Sequence, residues 1–354
     1  MAILMILECF LNMTQHTNFL FYKLHHGGLI NRLMSFEIAL GLSHCSKKKL
    51  VLYNVCGNTD RPLDDPSSRD GINLGKRGSI VNKKIPELFD FIDYPKHLVD
   101  EMIDFKQIDC FRENEVVITG KSLHDRYFKV SPGDDELDFA VGRPELLLLD
   151  DADYHIKSYT LAHYSHFFFN RTKELDRVLD SIKIKQEYVY FARIVANYIG
   201  DFNGIHLRSN DHKQNFEVFE KDLNAAITKL SNKKIVLLTD EVDNPIIKDK
   251  DLVLLDDIIV DNFSHEFLKL PNTSETAYGL VCALIMTYAQ EFIGTLASTY
   301  SGYIHRERNK VKKSKFLYLG IDEMLPGHPY SWNGKAYAGF GGMSREWPES
   351  RLNL

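Results

Sequence analysis

The chain has 354 residues, 44 % of them hydrophobic and 26 % charged, and carries a net charge of −6. That balance is ordinary for a globular protein, and the length suggests two domains, since single cores stop growing near about 250–300 residues. The longest basic runs are Lys47-Lys48-Lys49 and the mixed RERNKVKKSK at 306–315, too little for the basic face of a nucleic-acid binder, so no nucleic-acid partner is expected.

The first residues, MAILMILECFLNMT, are apolar but lack a basic start and are interrupted by Glu8. The run falls short of the roughly 20 residues needed to span a bilayer and is read as neither signal peptide nor transmembrane segment, which implies a cytoplasmic protein. Five widely spaced cysteines, an odd number with no CxxC pair, fit reduced thiols and supply no zinc signature.

Residues 18–55 hold the first legible unit. NFLFYKL reads as a strand, Gly27-Gly28 as a turn, and INRLMSFEIALGLSHCS as a helix with Leu33, Phe36, Leu40 and Cys45 on one face. KKLVLYNV then reads as a second strand. Strand, glycine turn, helix and strand make a βαβ unit and imply a parallel sheet. Residues 56–80, rich in Gly, Pro, Asp and Ser, read as a long loop. Residues 81–190 are poorly periodic, with a strand expected at Leu146–Leu149 and largely helical structure over 173–200. The second half repeats the α/β pattern: strand 203–208, helix 216–230, strands 234–239 and 252–255, helix 273–290 and strand 291–294. The last stretch, rich in Gly, Pro and aromatics, reads as irregular. The fold class is therefore α/β, with two Rossmann-like domains over 1–195 and 196–354 facing a cleft, and the site must decide the function.

Two stretches carry chemistry. In FNGIHLRSNDHK (202–213), Ile205 and Leu207 alternate with His206 and Arg208, so a strand runs into a polar turn containing Asp211. Such strand ends are where open α/β sheets bind ligands, although a solvated strand end with a surface ion pair has the same sequence. In EFIGTLASTYSGYIHRER (291–308), a short apolar strand turns at Gly294 and Thr295 into a helix start carrying Ser298, Thr299 and Ser301. Small hydroxyl residues there suit an anion, and they also suit an ordinary N-cap. An Arg fork facing a hydroxyl-rich helix start is equipment for a diphosphate. Neither GxxxxGK[ST] nor GxGxxG is present, against a P-loop NTPase or a nicotinamide enzyme.

Three blocks together resemble the GDP-fucose-dependent fucosyltransferases, both the protein O-fucosyltransferases and the α1,6-fucosyltransferases. HLRSND looks like the family's H-x-R motif with its nearby Asp. FIGTLASTYSGYIHRER is similar to the FIG-x-x-x-S-S/T-F segment followed by R-x-R. GGLINRLMSFE resembles the N-terminal G-x-x-x-N-Q block, with Asn31 on the family's Asn and Arg32 replacing its Gln. The blocks cover about a fifth of the chain, in the family's order and spacing.

The resemblance implies a GT-B fold and inverting, metal-independent transfer of fucose from GDP-fucose to a glycan or protein hydroxyl, with no cofactor beyond the donor. A non-catalytic nucleotide-sugar or glycan-binding protein of the same fold is the alternative. The resemblance also implies that Arg208 meets the β-phosphate, with His206 supporting it or touching the nucleotide and Asp211 on the nucleotide side. Ser298 and Thr299 would hold phosphate oxygens, Tyr300 would pack near the base, and Asn31 would reach the donor or acceptor. Asp240, in LLTDE, is a further donor-site candidate, although its position also suits a strand-end cap. Glu37 and Asp240 are candidate general bases. Asp151 and Asp153 would be the ligands if a divalent metal were used, although an acidic strand-end loop reads the same. Two positions depart from the family: Cys282 stands where an Asp is often found, and Ser209 where the α1,6 branch has a second Arg.

Overall fold

The computed structural model describes residues 19–24, 28–53, 75–82, 86–99, 101–103, 116–118, 154–156, 173–207, 223–224, 227–228, 230, 234–239, 252–295, 298–311, 317–319, 327–332 and 335–339. The chain divides into two compact units. One comprises Met1–Gly27, Asn31–Gly57 and Asp93–Lys183, the other Gly28–Ile30, Asn58–Ile92 and Ile184–Leu354. Each contains its own five-stranded parallel sheet, which is the α/β architecture the sequence implies.

In the first unit, β1 (Phe19–Lys23), α1 (Leu29–Ser46) and β2 (Lys49–Tyr53) form the expected βαβ unit, with β1 and β2 paired in parallel from Phe19↔Lys49 to Lys23↔Tyr53. The short strands β3 (Ile92–Asp93), β4 (Glu101–Ile103), β5 (Val116–Ile118) and β6 (Tyr154–Ile156) follow, and the sheet order is β4-β2-β1-β6-β5. Leu33, Phe36 and Leu40 are buried on α1 as their spacing predicts, with the Tyr94 ring edge-on to Phe36 at 5.5 Å.

Further along the chain lie α2 (Lys173–Asp180), β7 (Lys183–Ile184) and α3 (Gln186–Ile199). Next come β8 (Phe202–Leu207), β9 (Lys234–Thr239), β10 (Val253–Leu254), α4 (Leu255–Phe267) and α5 (Glu275–Met286). β11 (Phe292–Thr295), α6 (Thr299–Val311) and β12 (Leu317–Leu319) complete the second sheet, whose order is β10-β9-β8-β11-β12. The expected strand at 146–149, residues 56–74 of the expected loop and most of the expected helix at 216–230 lie outside the described residues, although Gly75–Ser79 forms a turn of 3-10 helix.

Two elements differ from the sequence reading. Helix α4 follows β10 without a break, so no start signal separates them: Leu254 occupies the N-cap with no side-chain hydrogen bond. The end of the chain is not wholly irregular, because β13 (Gly327–Trp332) and β14 (Lys335–Gly339) pair antiparallel. The sequence between them is Asn333-Gly334, the strongest short-range hairpin signal, overlooked amid the Gly- and Pro-rich surroundings.

In the second unit, Ile205, Leu207, Leu237 and Ile293 from the sheet cluster with Leu223 and Leu230. Adjacent residues point to opposite faces, so Phe202, Gly204 and His206 lie on the other side of β8. There Gly204 leaves room for α5: a Cβ at this position would sit 2.9 Å from Met286 Sδ and 3.2 Å from Ala289 Cβ. Helix α3 buries Tyr188, Phe191, Ala192, Val195, Ala196 and Ile199, the i, i+3, i+4 spacing of a core-facing stripe. It stops at Gly200, whose φ of 77° is costly for other residues. Ser274 caps α5 by accepting from Ala277 N at 3.2 Å.

A strap from residues 75–82 is fastened to α4 and the start of α5. Arg77 Nη1 lies 3.5 Å from Asp256 Oδ2, and both residues are buried. Asp256 Oδ1 accepts from Tyr278 Oη at 3.0 Å. Burial pushes the Asp256 carboxyl above its ordinary range, and the Arg77 charge opposes that shift. Lys76, exposed, reaches Asp257 and Asp261 at 3.0 Å each. Downstream, Asn82 donates its backbone N–H to Thr273 O at 2.9 Å.

The strap yields a contrast measurable by urea denaturation. Arg77→Ala leaves the Asp256 carboxylate buried without its cation and is expected to destabilise the protein by about 3–5 kcal/mol. Lys76→Ala removes only a solvent-screened pair and is expected to leave the midpoint nearly unchanged. Two glycines give a second contrast. A Cβ on Gly294 would lie 2.7 Å from Ser301 Cβ, whereas one on Gly279 in α5 meets nothing within 4 Å. Gly294→Ala is therefore expected to destabilise by about 1–3 kcal/mol, and Gly279→Ala to stabilise by up to about 1 kcal/mol.

Candidate functional site

The second sheet locates the site before any side chain is considered. From β8 the chain builds outward through β9 and β10, then returns to place β11 on the opposite side of β8. The strand order therefore reverses between β8 and β11. In open parallel sheets the crevice outside the carboxyl ends of the strands at such a reversal is where ligands bind. β8 ends at Leu207, with His206 immediately before it, and β11 ends at Thr295, shortly before α6 begins.

His206 is 7 % exposed and Leu207 2 %, so the described end of β8 is buried. His206 Nδ1 lies 2.6 Å from Ser301 Oγ in the first turn of α6. The Tyr300 ring packs on the imidazole at 4.9 Å between centroids and 43° between planes. Tyr300 in turn donates its hydroxyl to the Gly279 carbonyl of α5, and burial pushes its pKa well above the ordinary phenol value. The contacts seen for Tyr300, which the resemblance would put near a base, are to the protein itself.

Ser298 is fully buried and acts as the N-cap of α6: its hydroxyl accepts from Ser301 N at 3.4 Å, and its carbonyl accepts from Gly302 N at 3.0 Å. Thr299 is the first residue of the helix. The start of a 13-residue helix thus faces the switch point, with its positive dipole end beside His206.

The far end of α6 is anchored. Arg308 donates to the carbonyls of Thr287 (3.4 Å), Ala289 and Gln290 (3.1 Å), just past the end of α5, with its guanidinium 5.9 Å from the centroid of the Phe292 ring. Burial lowers its pKa to about 10, which leaves it charged at neutral pH. His305 packs edge-on to Phe292 at 4.9 Å, and burial drives its pKa well down, so its ring stays neutral. The R-x-R at the end of the block resembling the family therefore includes a residue that ties α6 to the turn after α5.

Cys282 lies on α5, one turn beyond Tyr278, and is fully buried, with its thiol pushed well above the ordinary range first by burial and then by the Asp256 charge. In place of the Asp that the resemblance would put there, the interior of α5 presents a neutral thiol. The nearest carboxylate in this electrostatic group is Asp256, engaged with Tyr278 and Arg77.

The structure thus brings together His206, Ser298, the start of α6 at Thr299, and Tyr300, and adds Ser301, which sequence reasoning noted without assigning it a role. The one sequence signal for Ser301 is its i+3 position after Ser298. Arg208, Asp211, Asp240, Asp151 and Asp153 lie outside the described residues. Asn31 belongs to the first unit, in the first turn of α1, where its Oδ1 is buried without a hydrogen-bond partner among the described residues. Arg32 and Glu37 are buried on the same helix. Among the described residues no helix is long and apolar enough to cross a membrane.

No protein-family model and no curated protein matches the chain. Solved structures do. The chain is similar to the NodZ α-1,6-fucosyltransferase soaked with GDP-fucose, at 15% identity and a TM-score of 0.45, over 82% of this chain and 92% of that one. It is similar to POFUT1 in complex with GDP, at 12% identity and a TM-score of 0.39, over 87% and 100%. It is also similar to an Arabidopsis thaliana FUT1 variant in complex with GDP, at 8% identity and a TM-score of 0.45, over 86% and 71%.

Proposed function

We propose that this chain is a glycosyltransferase of the GT-B fold class that moves fucose from GDP-fucose to a hydroxyl of a glycan or protein, with inversion and without a metal ion. The observation that carries the reading is the meeting of His206, from the H-x-R block, with the hydroxyl-rich start of α6 at the switch point of the second sheet. Two of the three blocks that resemble the fucosyltransferases thus converge on one crevice although they lie 95 residues apart in the chain.

In the proposed reaction an acceptor oxygen attacks the anomeric carbon while the bond to the β-phosphate oxygen breaks. The electron pair leaves with GDP, and a base takes the acceptor proton. Negative charge therefore grows on the diphosphate. Arg208, two residues beyond His206, is the proposed donor to that charge, with the α6 N-terminus and its N–H groups beside it. A planar guanidinium can meet two phosphate oxygens at once, which an ammonium cannot. Asp211 and Asp240 are proposed on the nucleotide side, and Asn31 as a residue that binds donor or acceptor.

A thermal-shift series tests the donor, because a ligand that binds only the folded state raises Tm. GDP is expected to raise Tm more than UDP, CMP or ADP, and GDP-fucose is expected to be slowly hydrolysed to free GDP at a rate unchanged by EDTA. Arg208→Ala is expected to fold and to lower turnover on the order of 10²–10³-fold, with Arg208→Lys restoring little. Turnover within about threefold of the parent, less than about 1 kcal/mol in barrier, would remove Arg208 from the mechanism. GDP binding with no release of GDP from GDP-fucose under any acceptor would leave a binding protein in place of an enzyme.

A further inference from the structure

We propose that Ser301 is a positioning residue, whose hydroxyl occupies Nδ1 of the His206 ring and fixes the plane of that ring at the switch point. The hydroxyls that the family resemblance assigns to phosphate are Ser298 and Thr299. The contact to His206 comes instead from the next hydroxyl along the helix, at 2.6 Å.

Three features make this contact directional rather than incidental. Ser301 is fully buried and His206 nearly so, which limits competition from bulk water for the bond. Ser301 also has little freedom to move away, because Gly294 packs against it. A Cβ at 294 would fall 2.7 Å from Ser301 Cβ and 2.9 Å from its Oγ, so only a glycine lets β11 and α6 approach this closely. Finally, the Ser301 backbone N–H is held by the Ser298 cap, which sets the side chain in the first turn of α6.

Tyr300 supplies the complementary restraint. Its ring lies on the imidazole at 4.9 Å, and its own hydroxyl is tied to Gly279 O, so the two residues limit both tilt and rotation of the ring. A serine hydroxyl can donate to Nδ1 or accept from it, so the bond occupies that nitrogen in either tautomer. Ser301 therefore acts on any chemistry of the site through His206.

The catalytic consequence rests on the GDP-fucose reading, whereas the hydrogen bond itself does not, and the experiment separates the two. In full-length protein, the ring nitrogens of His206 are followed by long-range ¹⁵N–¹H correlation. GDP release from GDP-fucose is measured for the parent, Ser301→Ala, His206→Ala and the double variant. Ser301→Ala is expected to move the His206 ring nitrogen resonances and to lower kcat about tenfold with KM within about twofold. In the His206→Ala background the same change is expected to cost less than about twofold, because residues that act as a unit are not additive. Unmoved ring resonances, or an effect of Ser301→Ala that is equally large without His206, would overturn the proposal. If the parent neither binds GDP nor releases it from GDP-fucose, the proposed function fails. The resonances then still decide the role of Ser301: movement upholds it, and no movement overturns it.

Discussion

A strand buried on both faces must satisfy every polar group it carries inside the protein, and β8 is such a strand, with all six residues buried and two of them, Asn203 and His206, polar. Both find their partners along the same stretch of chain. Asn203 Oδ1 accepts from Glu291 N at 3.2 Å, just before β11, and His206 meets Ser301, just after α6 begins. Between them Gly204 lets α5 pack close, and its N–H donates to Glu291 O at 2.8 Å. The two polar residues of β8 thus pin the β11–α6 segment at both ends, and the switch point takes its shape from that pinning.

Arg308 extends the same logic to the other end of α6. The carbonyls at the end of a helix carry partial negative charge and need donors. The Arg308 guanidinium, with donors fixed in a plane, meets the C-cap carbonyl of Thr287 and the Ala289 and Gln290 carbonyls of the turn beyond it. Helix α6 is therefore held at its first turn by the Ser298 cap and the Ser301–His206 bond, and near its last turn by the end of α5. The candidate site sits at the end whose N–H groups point into the crevice, and the opposite end carries the anchoring charge.

What the sequence made legible follows the physics of local pattern. The βαβ unit at 19–53 and the strands at 202–207, 234–239 and 292–295 have periodic apolar residues bounded by turn signals, and they form close to where that pattern puts them. Helix α4 escaped because it starts directly from β10 and runs through Ile258, Ile259 and Val260, residues that favour strands as isolated choices. The strap has the local sequence of a loop because its stability comes from Asp256, 179 residues away, and no local signal reports such a partner. At the site, the convergence of His206 and the start of α6 follows from reading the 202–213 and 291–308 stretches as one diphosphate site. The preference of His206 for Ser301 does not, since it depends on how closely Gly294 lets two elements approach. Cys282 looked like a departure at a ligand position, and the fold makes it part of the interior.

The separation between the strap and its partner also bears on how the protein is made. Residues 58–92 and 184–354 belong to one unit, with residues 93–183, which belong to the other, synthesised between them. At typical rates of about 5–20 residues per second, the ribosome needs roughly 10–35 s after Arg77 emerges before Asp256 exists. Throughout that interval the segment carrying Arg77 lacks the surface on which it will rest, and the first unit's sheet can assemble ahead of it. Closure of the second unit is thus a late event of synthesis, in which an early stretch of chain is captured by a helix made near the end.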